Sequence, residues 1–293
     1  MSARDDVAPL HLEDVTVRFG GITALDSVST VVEPGTVHAL IGPNGAGKST
    51  CFNVVSGVYS ATSGRVRLGD QDITGTPAHA RAGLGIGRAF QNIALSGTSP
   101  VLDNVMLGRH ALTKGGFGAA ALYLPGMRRS QRRHAERCAE ICAFLGIGGA
   151  LRQPAGSLSY GDQKRVDIAR ALAVEPTLLL LDEPAAGMNA VETAAMAATI
   201  AEIRDDLGIS VLLVEHDMSL VMGIADRITV LDFGKRIADG TPAEVREDPA
   251  VIRAYLGGSG DDDPDYPDDP PGGAHRSPGT HRSTDSTELE TAP

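Results

Sequence analysis

The fold class is decided by the stretch Val37-His38-Ala39-Leu40-Ile41-Gly42-Pro43-Asn44-Gly45-Ala46-Gly47-Lys48-Ser49-Thr50. Residues 37–41 are a short apolar run, which is typical of a buried strand that leads into a loop. Residues 42–49 match the phosphate-loop pattern Gly-x-x-x-x-Gly-Lys-Ser, and residues 50–56 have helical character up to Gly57. Strand, glycine-rich loop and helix in this order predict an α/β protein whose loop binds the phosphates of ATP.

The chemistry of phosphate binding explains each residue type in the loop. Glycines let the backbone turn its N–H groups toward phosphate oxygens, where Cβ atoms would obstruct the approach. The first N–H groups of the following helix are unpaired and lie at the positive end of its dipole, which favours an anion. Lys48 brings positive charge to the β- and γ-phosphates, the Ser49 hydroxyl can ligate Mg²⁺, and Thr50 can hydrogen-bond a phosphate. The predicted ATP site consists of Gly42, Pro43, Asn44, Gly45, Ala46, Gly47, Lys48, Ser49 and Thr50.

An acidic pair follows a second apolar run, Leu178–Leu181, which is typical of a strand buried on both faces. An aspartate at the carboxyl end of such a strand can hold the Mg²⁺ shell beside a phosphate loop, and Asp182 fits this role. Glu183 can act as the general base for the water that attacks the γ-phosphate. Considered alone, the pair would be better explained as a solvated turn before Pro184. The phosphate loop favours the catalytic interpretation.

Charge and composition restrict the class of partner. The 293-residue chain is 42% hydrophobic and 22% charged, as in ordinary globular proteins, and its formal net charge is −11. Residues 257–293 hold nine Asp/Glu and two Arg, which leaves the rest of the chain at −4. Without a general basic field, nucleic acid is disfavoured as the main partner. The same stretch is rich in Pro, Gly and Ser, so we expect residues 258–293 to be a disordered acidic tail.

Cysteines and apolar stretches give expectations about the cellular compartment. The three cysteines, Cys51, Cys138 and Cys142, lack the spacing of a disulfide framework. The last two lie four residues apart in a helical stretch, where small buried side chains explain them better than a metal site with His134. Residues 1–10 lack a secretory signal, and no stretch approaches the ~20 apolar residues of a membrane span. We expect a cytosolic protein that reaches a membrane only by docking to a partner.

Periodicity predicts the remaining elements. Alternating apolar residues predict a strand at Leu10–Phe19, and Gly115–Gly126 is predicted to be a loop rather than a short partner-binding helix. Other strands are expected at Val28–Val32, Arg65–Leu68, Ile86–Phe90, Ser210–Val214, Ile228–Leu231 and Arg236–Ala238, the last two flanking a turn. Helices are expected at Arg132–Leu145, Val166–Ala173, Ala190–Leu207 and Pro242–Leu256.

The stretch Leu158-Ser159-Tyr160-Gly161-Asp162-Gln163-Lys164-Arg165 resembles the signature motif of ABC-transporter ATPases. Other motifs of that family occur here in the family's order: the phosphate loop, Gln91 in Phe90-Gln91-Asn92, the signature, the acidic pair, and His216 in Glu215-His216-Asp217. The resemblance covers about residues 10–256. It implies an α/β fold with a phosphate-loop (RecA-like) nucleotide-binding core, an antiparallel β subdomain and an inserted α-helical subdomain. The implied ATPase domain spans 8–257, with the core at about 8–91 and 165–257 and the helical subdomain at about 92–164.

The resemblance also implies roles for residues outside the phosphate loop. Ser159 and Gly161 would lie at a helix start and close on the γ-phosphate held by a second subunit, so that two chains sandwich two ATP molecules. Gln91 would contact Mg²⁺ and the attacking water, and would relay the nucleotide state to a membrane subunit. His216 would contact the γ-phosphate, and Phe19 would stack on adenine. A structural histidine and a core phenylalanine are the plain alternatives.

A closer resemblance, to the larger ATPase subunit of branched-chain amino acid importers, rests on residues 41–50, 183–189, 214–218 and 249–257. Tyr160 and Asn189 depart from the ABC family at large but agree with this group, whereas Asp162 stands where Gln or Glu is usual. The resemblance implies three kinds of partner at the cytoplasmic face of the plasma membrane. They are a second ATPase subunit (a copy or a sister chain), two membrane permease subunits and, indirectly, an extracytoplasmic solute-binding protein.

Other functions are separated from this one by particular features. An ATPase of urea or amide import, or of lipopolysaccharide export, would look similar because the motor does not touch the cargo. A soluble ABC ATPase of DNA repair or translation usually carries two ATPase halves, zinc modules or long coiled coils, whereas this sequence has one set of motifs and no heptad run. A phosphate-loop kinase would have neither the signature nor His216.

Overall fold

The computed structural model describes residues 7–89, 94–112 and 125–256, which all belong to one compact unit formed by residues 1–258. Gln91, most of the stretch 115–126 and the predicted tail 258–293 lie outside the described residues. Within the described part, no helix has both the length and the apolar character needed to cross a membrane.

Ten strands form two sheets within these ranges. The strands are β1 Leu10–Phe19, β2 Ile22–Val32, β3 Val37–Ile41, β4 Ser63–Leu68, β5 Gln71–Asp72, β6 Ile86–Arg88, β7 Leu178–Asp182, β8 Ser210–Val214, β9 Arg227–Asp232 and β10 Lys235–Gly240. A four-stranded antiparallel sheet has the order β2-β1-β4-β5, and a six-stranded sheet has the order β10-β9-β3-β8-β7-β6. The five strands from β9 to β6 run parallel, and β10 pairs with β9 in an antiparallel hairpin.

The parallel register brings three strand ends to one edge of the larger sheet. β3, β8 and β7 are neighbours, and every residue in them is buried. Leu40 pairs with Val214, and Val214 pairs with Asp182, so the loops that follow these strands leave the sheet side by side. Ligand sites of open α/β sheets form at this carboxyl edge.

The strand predictions agree with the structure where the apolar pattern is clear. β1, β3 and β8 have the predicted bounds, whereas β2 begins at Ile22 rather than Val28. The first residues of β2 are exposed and pair with the end of β1 in a hairpin that places Phe19 opposite Ile22. An exposed hairpin needs no apolar alternation, so this part of the strand leaves little trace in the sequence.

Nine α-helices complete the described part of the chain. They are α1 Lys48–Val55, α2 Ala78–Arg81, α3 Val101–Met106, α4 Pro125–Phe144, α5 Tyr160–Leu172, α6 Ala190–Leu207, α7 Met218–Ile224, α8 Pro242–Glu247 and α9 Pro249–Leu256. α6 has the predicted bounds because a capping box at Asn189 starts it and Gly208, with a φ of 68°, ends it. The helix predicted over residues 242–256 is two helices, since Pro249 has no N–H to continue the first one.

Helices α3, α4 and α5 share one buried apolar cluster with β7 and β8. Cys138 and Cys142 lie in this cluster as free, buried cysteines, as predicted. Burial raises the pKa of Cys142 to about 12. The predicted border between residues 164 and 165 falls inside α5, and the division into subdomains stays a prediction.

Candidate active site

The phosphate loop connects β3 to α1, as predicted. Gly42, Gly45 and Gly47 have positive φ values of 150°, 80° and 99°. A Cβ at position 42 would lie 2.1 Å from the carbonyl oxygen of Leu231, and one at position 47 would lie 2.7 Å from that of Ala24. Neighbouring backbone therefore excludes any side chain at these two positions.

The Lys48 side chain folds back over the loop. Its ammonium group donates hydrogen bonds to the carbonyl oxygens of Gly42, at 2.7 Å, and Pro43, at 2.8 Å. Burial lowers the pKa of Lys48, and the negative charge of Glu183 opposes this. α1 begins at Lys48, two residues before the predicted start. The Lys48 ammonium group and the unpaired N–H groups of the first turn of α1 thus both place positive charge at the phosphate loop.

A cavity of about 560 Å³ opens beside the loop, a size that suits a nucleotide. It is lined by Ile22, Thr23, Ala24, Asn44, Gly45, Ala46, Gly47, Lys48, Ser49, Thr50, Glu183, Phe233 and Gly234. The structure therefore brings most of the predicted loop together with Glu183.

The start of β2 and the β9–β10 turn also line this cavity, and the sequence did not indicate either contribution. The N–H of Gly234 donates to the carbonyl of Ala46 at 3.0 Å, which joins the turn to the phosphate loop. Phe233 is 87% exposed and has a φ of 42°. The sequence predicts the turn itself, but its position beside the phosphate loop depends on tertiary contacts.

Phe19 lies outside the lining of the cavity. Its ring meets that of Tyr59 edge-on, with centroids 5.1 Å apart and an interplanar angle of 73°. The side chain is exposed, so the alternative of a core phenylalanine is wrong.

The acidic pair lies where β7 ends. Asp182 is buried, and burial raises the pKa of its carboxyl group, with Arg88 opposing and Glu183 reinforcing this effect. Glu183 has a φ of 48°, a left-handed conformation that residues with a Cβ rarely adopt. Its N–H donates to the carbonyl of Val214, at the end of β8, at 2.8 Å. Held by this bond, Glu183 lines the phosphate-loop cavity.

His216 follows β8 and is exposed, with its Nδ1 4.0 Å from Oε1 of Glu183. The adjacent Glu215 is buried, and its carboxylate accepts hydrogen bonds from the N–H groups of Ala185 and His216, both at 3.0 Å. The sequence alone indicates no role for Glu215. A charged residue directly after the buried run of β8 was the signal that could have indicated it.

Ser159 is the N-cap of α5. Its hydroxyl accepts a hydrogen bond from the N–H of Asp162 at 3.2 Å and donates one to the Asp162 carboxylate at 2.9 Å, while Arg165 donates to the other carboxylate oxygen at 2.9 Å. Asp162 is thus part of the cap. A Cβ at Gly161 would have Glu192, at 3.9 Å, as its nearest neighbour, so the space there is open. Neither Ser159 nor Gly161 lines the phosphate-loop cavity of the same chain.

The predicted magnesium ligands have the right chemistry for a hard cation. Among the residues that the structure describes, no group of three or more His, Cys, Asp or Glu could hold a metal ion. A metal would therefore depend on the exposed Ser49 hydroxyl, the buried Asp182 carboxylate and phosphate oxygens, and oxygen ligands are those that Mg²⁺ prefers. Gln91, the third predicted ligand, lies outside the described residues.

Comparisons with known proteins agree with this geometry. The ABC transporter family matches residues 25–186, and the branched-chain amino acid ATP-binding cassette transporter family matches residues 235–261. The chain is 42% identical to BraF of Pseudomonas aeruginosa, a high-affinity branched-chain amino acid transport ATP-binding protein, over 85% of this chain and 97% of BraF.

Solved structures are similar along the same part of the chain. The ADP conformation of MJ1267, an ATP-binding cassette of an ABC transporter, has a TM-score of 0.75 and 32% identity, over 85% of this chain and 99% of MJ1267. A dimeric post-hydrolysis state of the cassette MJ0796, bound to ADP and Pi, has a TM-score of 0.64 and 25% identity, over 80% of this chain and 98% of MJ0796. These similarities confirm the predicted fold class. The chain belongs to the ABC transporter ATP-binding family and is an ATP-hydrolysing transporter subunit.

Proposed function

We propose that this chain is the ATPase motor of an importer for branched-chain amino acids. The observation that carries the proposal is the 42% identity to BraF along 97% of that protein. The match of residues 235–261 to the branched-chain amino acid cassette family supports the same cargo class. The cavity described above is the proposed nucleotide site, so other subunits would select the cargo.

The phosphate loop, residues 42–50, holds the triphosphate of ATP in this proposal. Lys48 can exchange its bonds to two loop carbonyls for bonds to the β- and γ-phosphates, which keeps its charge compensated throughout. Phe19, exposed at the end of β1, stacks on adenine. Ser49, Asp182 and Gln91 hold Mg²⁺, which neutralises charge on the phosphates when bound.

Hydrolysis is assigned to the loops after β7 and β8. Glu183 lines the cavity and takes a proton from the attacking water. The exposed His216 lies 4.0 Å from Glu183 and contacts the γ-phosphate. Gln91 contacts the metal and the same water. The register of β7 and β8 supports this assignment because it places Glu183 and His216 at one edge of the sheet.

A second ATPase chain completes each site, either a copy of this one or a homologous sister. Ser159 and Gly161 lie at the start of α5, where N–H groups and the helix dipole favour an anion. They do not line the cavity of their own chain, so they close on the γ-phosphate held by the other chain's phosphate loop. The dimeric state of MJ0796 supports this arrangement.

The chain would act at the cytoplasmic face of the plasma membrane, bound to two permease subunits. Dimer closure around ATP would be passed through the Gln91 region to these subunits. An extracytoplasmic solute-binding protein would deliver leucine, isoleucine or valine.

The test is ATP hydrolysis by the full transporter in vesicles. The chain is purified with its native membrane partners, and the binding protein is added with leucine, isoleucine, valine or urea. We expect the three amino acids, and not urea, to stimulate hydrolysis several-fold. Stimulation by urea alone would assign the motor to urea import and would overturn the proposed cargo.

A further inference from the structure

A buried carboxylate joins the two loops that carry the proposed catalytic residues. The Glu215 side chain has 0% exposure. One of its oxygens accepts a hydrogen bond from the N–H of Ala185, in the loop after β7, at 3.0 Å. The other accepts bonds from the N–H groups of His216, at 3.0 Å, and Asp217, at 3.3 Å, in the loop after β8. The side chain therefore bridges the Glu183 loop and the His216 loop.

A buried positive charge accompanies this carboxylate. A buried carboxylate is unfavourable unless hydrogen bonds and an opposite charge compensate it. Lys164 is 2% exposed and lies on α5, five residues after the N-cap. Burial lowers the pKa of Lys164, and nearby carboxylates raise it, namely Asp167, Glu215, Asp182 and Glu183. Lys164 thus places a positive charge in the same buried region as these carboxylates.

The Glu215 bridge lies next to the side chains of Glu183 and His216, and hydrolysis depends on the distance between these two. Nδ1 of His216 is 3.6 Å from Oε2 of Glu215 and 4.0 Å from Oε1 of Glu183. Ala185, which donates to the bridge, is two residues after Glu183, whose left-handed φ of 48° needs outside contacts to be maintained. Without the bridge, the two loops could shift relative to each other. A displacement of about 1 Å in a catalytic site can reduce a rate roughly 100-fold.

We propose that Glu215 is a positioning residue for ATP hydrolysis, which holds the Glu183 loop against the His216 loop. The proposal rests on the functions proposed above for Glu183 and His216.

The test measures steady-state ATP hydrolysis by Glu215→Gln and Glu215→Asp in the full chain. Glutamine keeps the length of the side chain, but its amide nitrogen would face backbone N–H donors and could not accept their hydrogen bonds. Aspartate keeps the negative charge, but its side chain is too short to reach both loops. We expect kcat to fall roughly 10- to 100-fold in both variants, because the loops shift. The KM for ATP should stay within about twofold, because the phosphate loop is untouched. Glu202→Gln, at an exposed position on α6, is the matched control and should behave as wild type.

The Glu183→Gln variant distinguishes a failure of the positioning proposal from a failure of the proposed base. A wild-type kcat for Glu215→Gln beside an inactive Glu183→Gln would overturn the positioning proposal and leave the assignment of the base intact. A wild-type rate for Glu183→Gln would instead overturn the assignment of the base. If circular dichroism shows that Glu215→Gln does not fold, Glu215→Asp serves as the test. A kcat of Glu215→Asp within about twofold of wild type would then overturn the positioning proposal.

Discussion

Lowering the pH from 7.5 to 5.5 should destabilise this protein through His38, which lies on β3 just before the phosphate loop. The side chain is 1% exposed, and its Nε2 is 2.8 Å from the hydroxyl of Thr229. Its Nδ1 is buried and has no hydrogen-bond partner among the described residues. Burial lowers the pKa of His38 to about 4; Asp239 opposes this shift and Arg227 adds to it.

The sign and size of the effect follow from proton linkage. The folded pKa, about 4, is below the ordinary value of 6.5, so the unfolded chain binds a proton more readily. The stability associated with neutral His38 is therefore present above pH 6.5 and is lost as the pH falls toward 4. Between pH 7.5 and 5.5 the free energy of unfolding should decrease by about 1 kcal/mol from this group alone. With a urea m-value of about 3 kcal/mol/M, the midpoint should fall by roughly 0.3 M.

The assay is urea unfolding at the two pH values for wild type, His38→Gln and His79→Gln. Glutamine can retain a hydrogen bond to Thr229 but does not titrate, so His38→Gln should lose about 1 kcal/mol less than wild type between the two pH values. His79 is exposed on α2, and its variant should keep the wild-type pH dependence. Equal pH dependence in wild type and His38→Gln would refute the reasoning, because it would show that burial does not hold His38 neutral.

Three further predictions concern turnover, the tail and a buried arginine of α2. Glu183→Gln should abolish ATP turnover, retain ATP binding and trap a dimer on size-exclusion chromatography; hydrolysis at the wild-type rate would contradict its assignment as the base. Deleting residues 258–293 should leave the ATPase rate unchanged, and a large loss would mean that the tail is structural. Arg81→Met should lower the free energy of unfolding by about 3 kcal/mol, because the buried guanidinium donates to carbonyls that include Val54 and Ile73; a loss below about 1 kcal/mol would contradict this.

The sequence predicted elements well where one physical signal was sufficient. The apolar runs of β3 and β8 and the capped, glycine-terminated pattern of α6 gave the observed bounds. Elements whose start depends on neighbours were less predictable. The exposed start of β2 is stabilised by pairing with β1, and α5 begins at Tyr160 because Ser159 and Asp162 form its cap.

The sequence predicted individual segments of the candidate site but not how they come together. The loop residues, Asp182 and Glu183 follow from local patterns, because strand, glycine loop and acidic pair each have a sequence signature. The cavity depends on tertiary contacts, since the turn at Phe233 reaches it only through the β9–β10 hairpin. Glu215 and Lys164 were missed for the same reason. Charged residues usually lie at the surface, and only the packed structure shows that these two are buried.

The phosphate loop and the start of α5, which the proposed function brings together across a dimer, are held in different ways. The phosphate loop is fixed by the sheet, with Gly42 packed against Leu231 and Gly234 bonded to Ala46. The signature end of α5 is held by its own cap, and its space is open. A second chain that engages this end of α5, as in the proposed function, would therefore leave the phosphate loop in place and would change kcat more than the affinity for ATP.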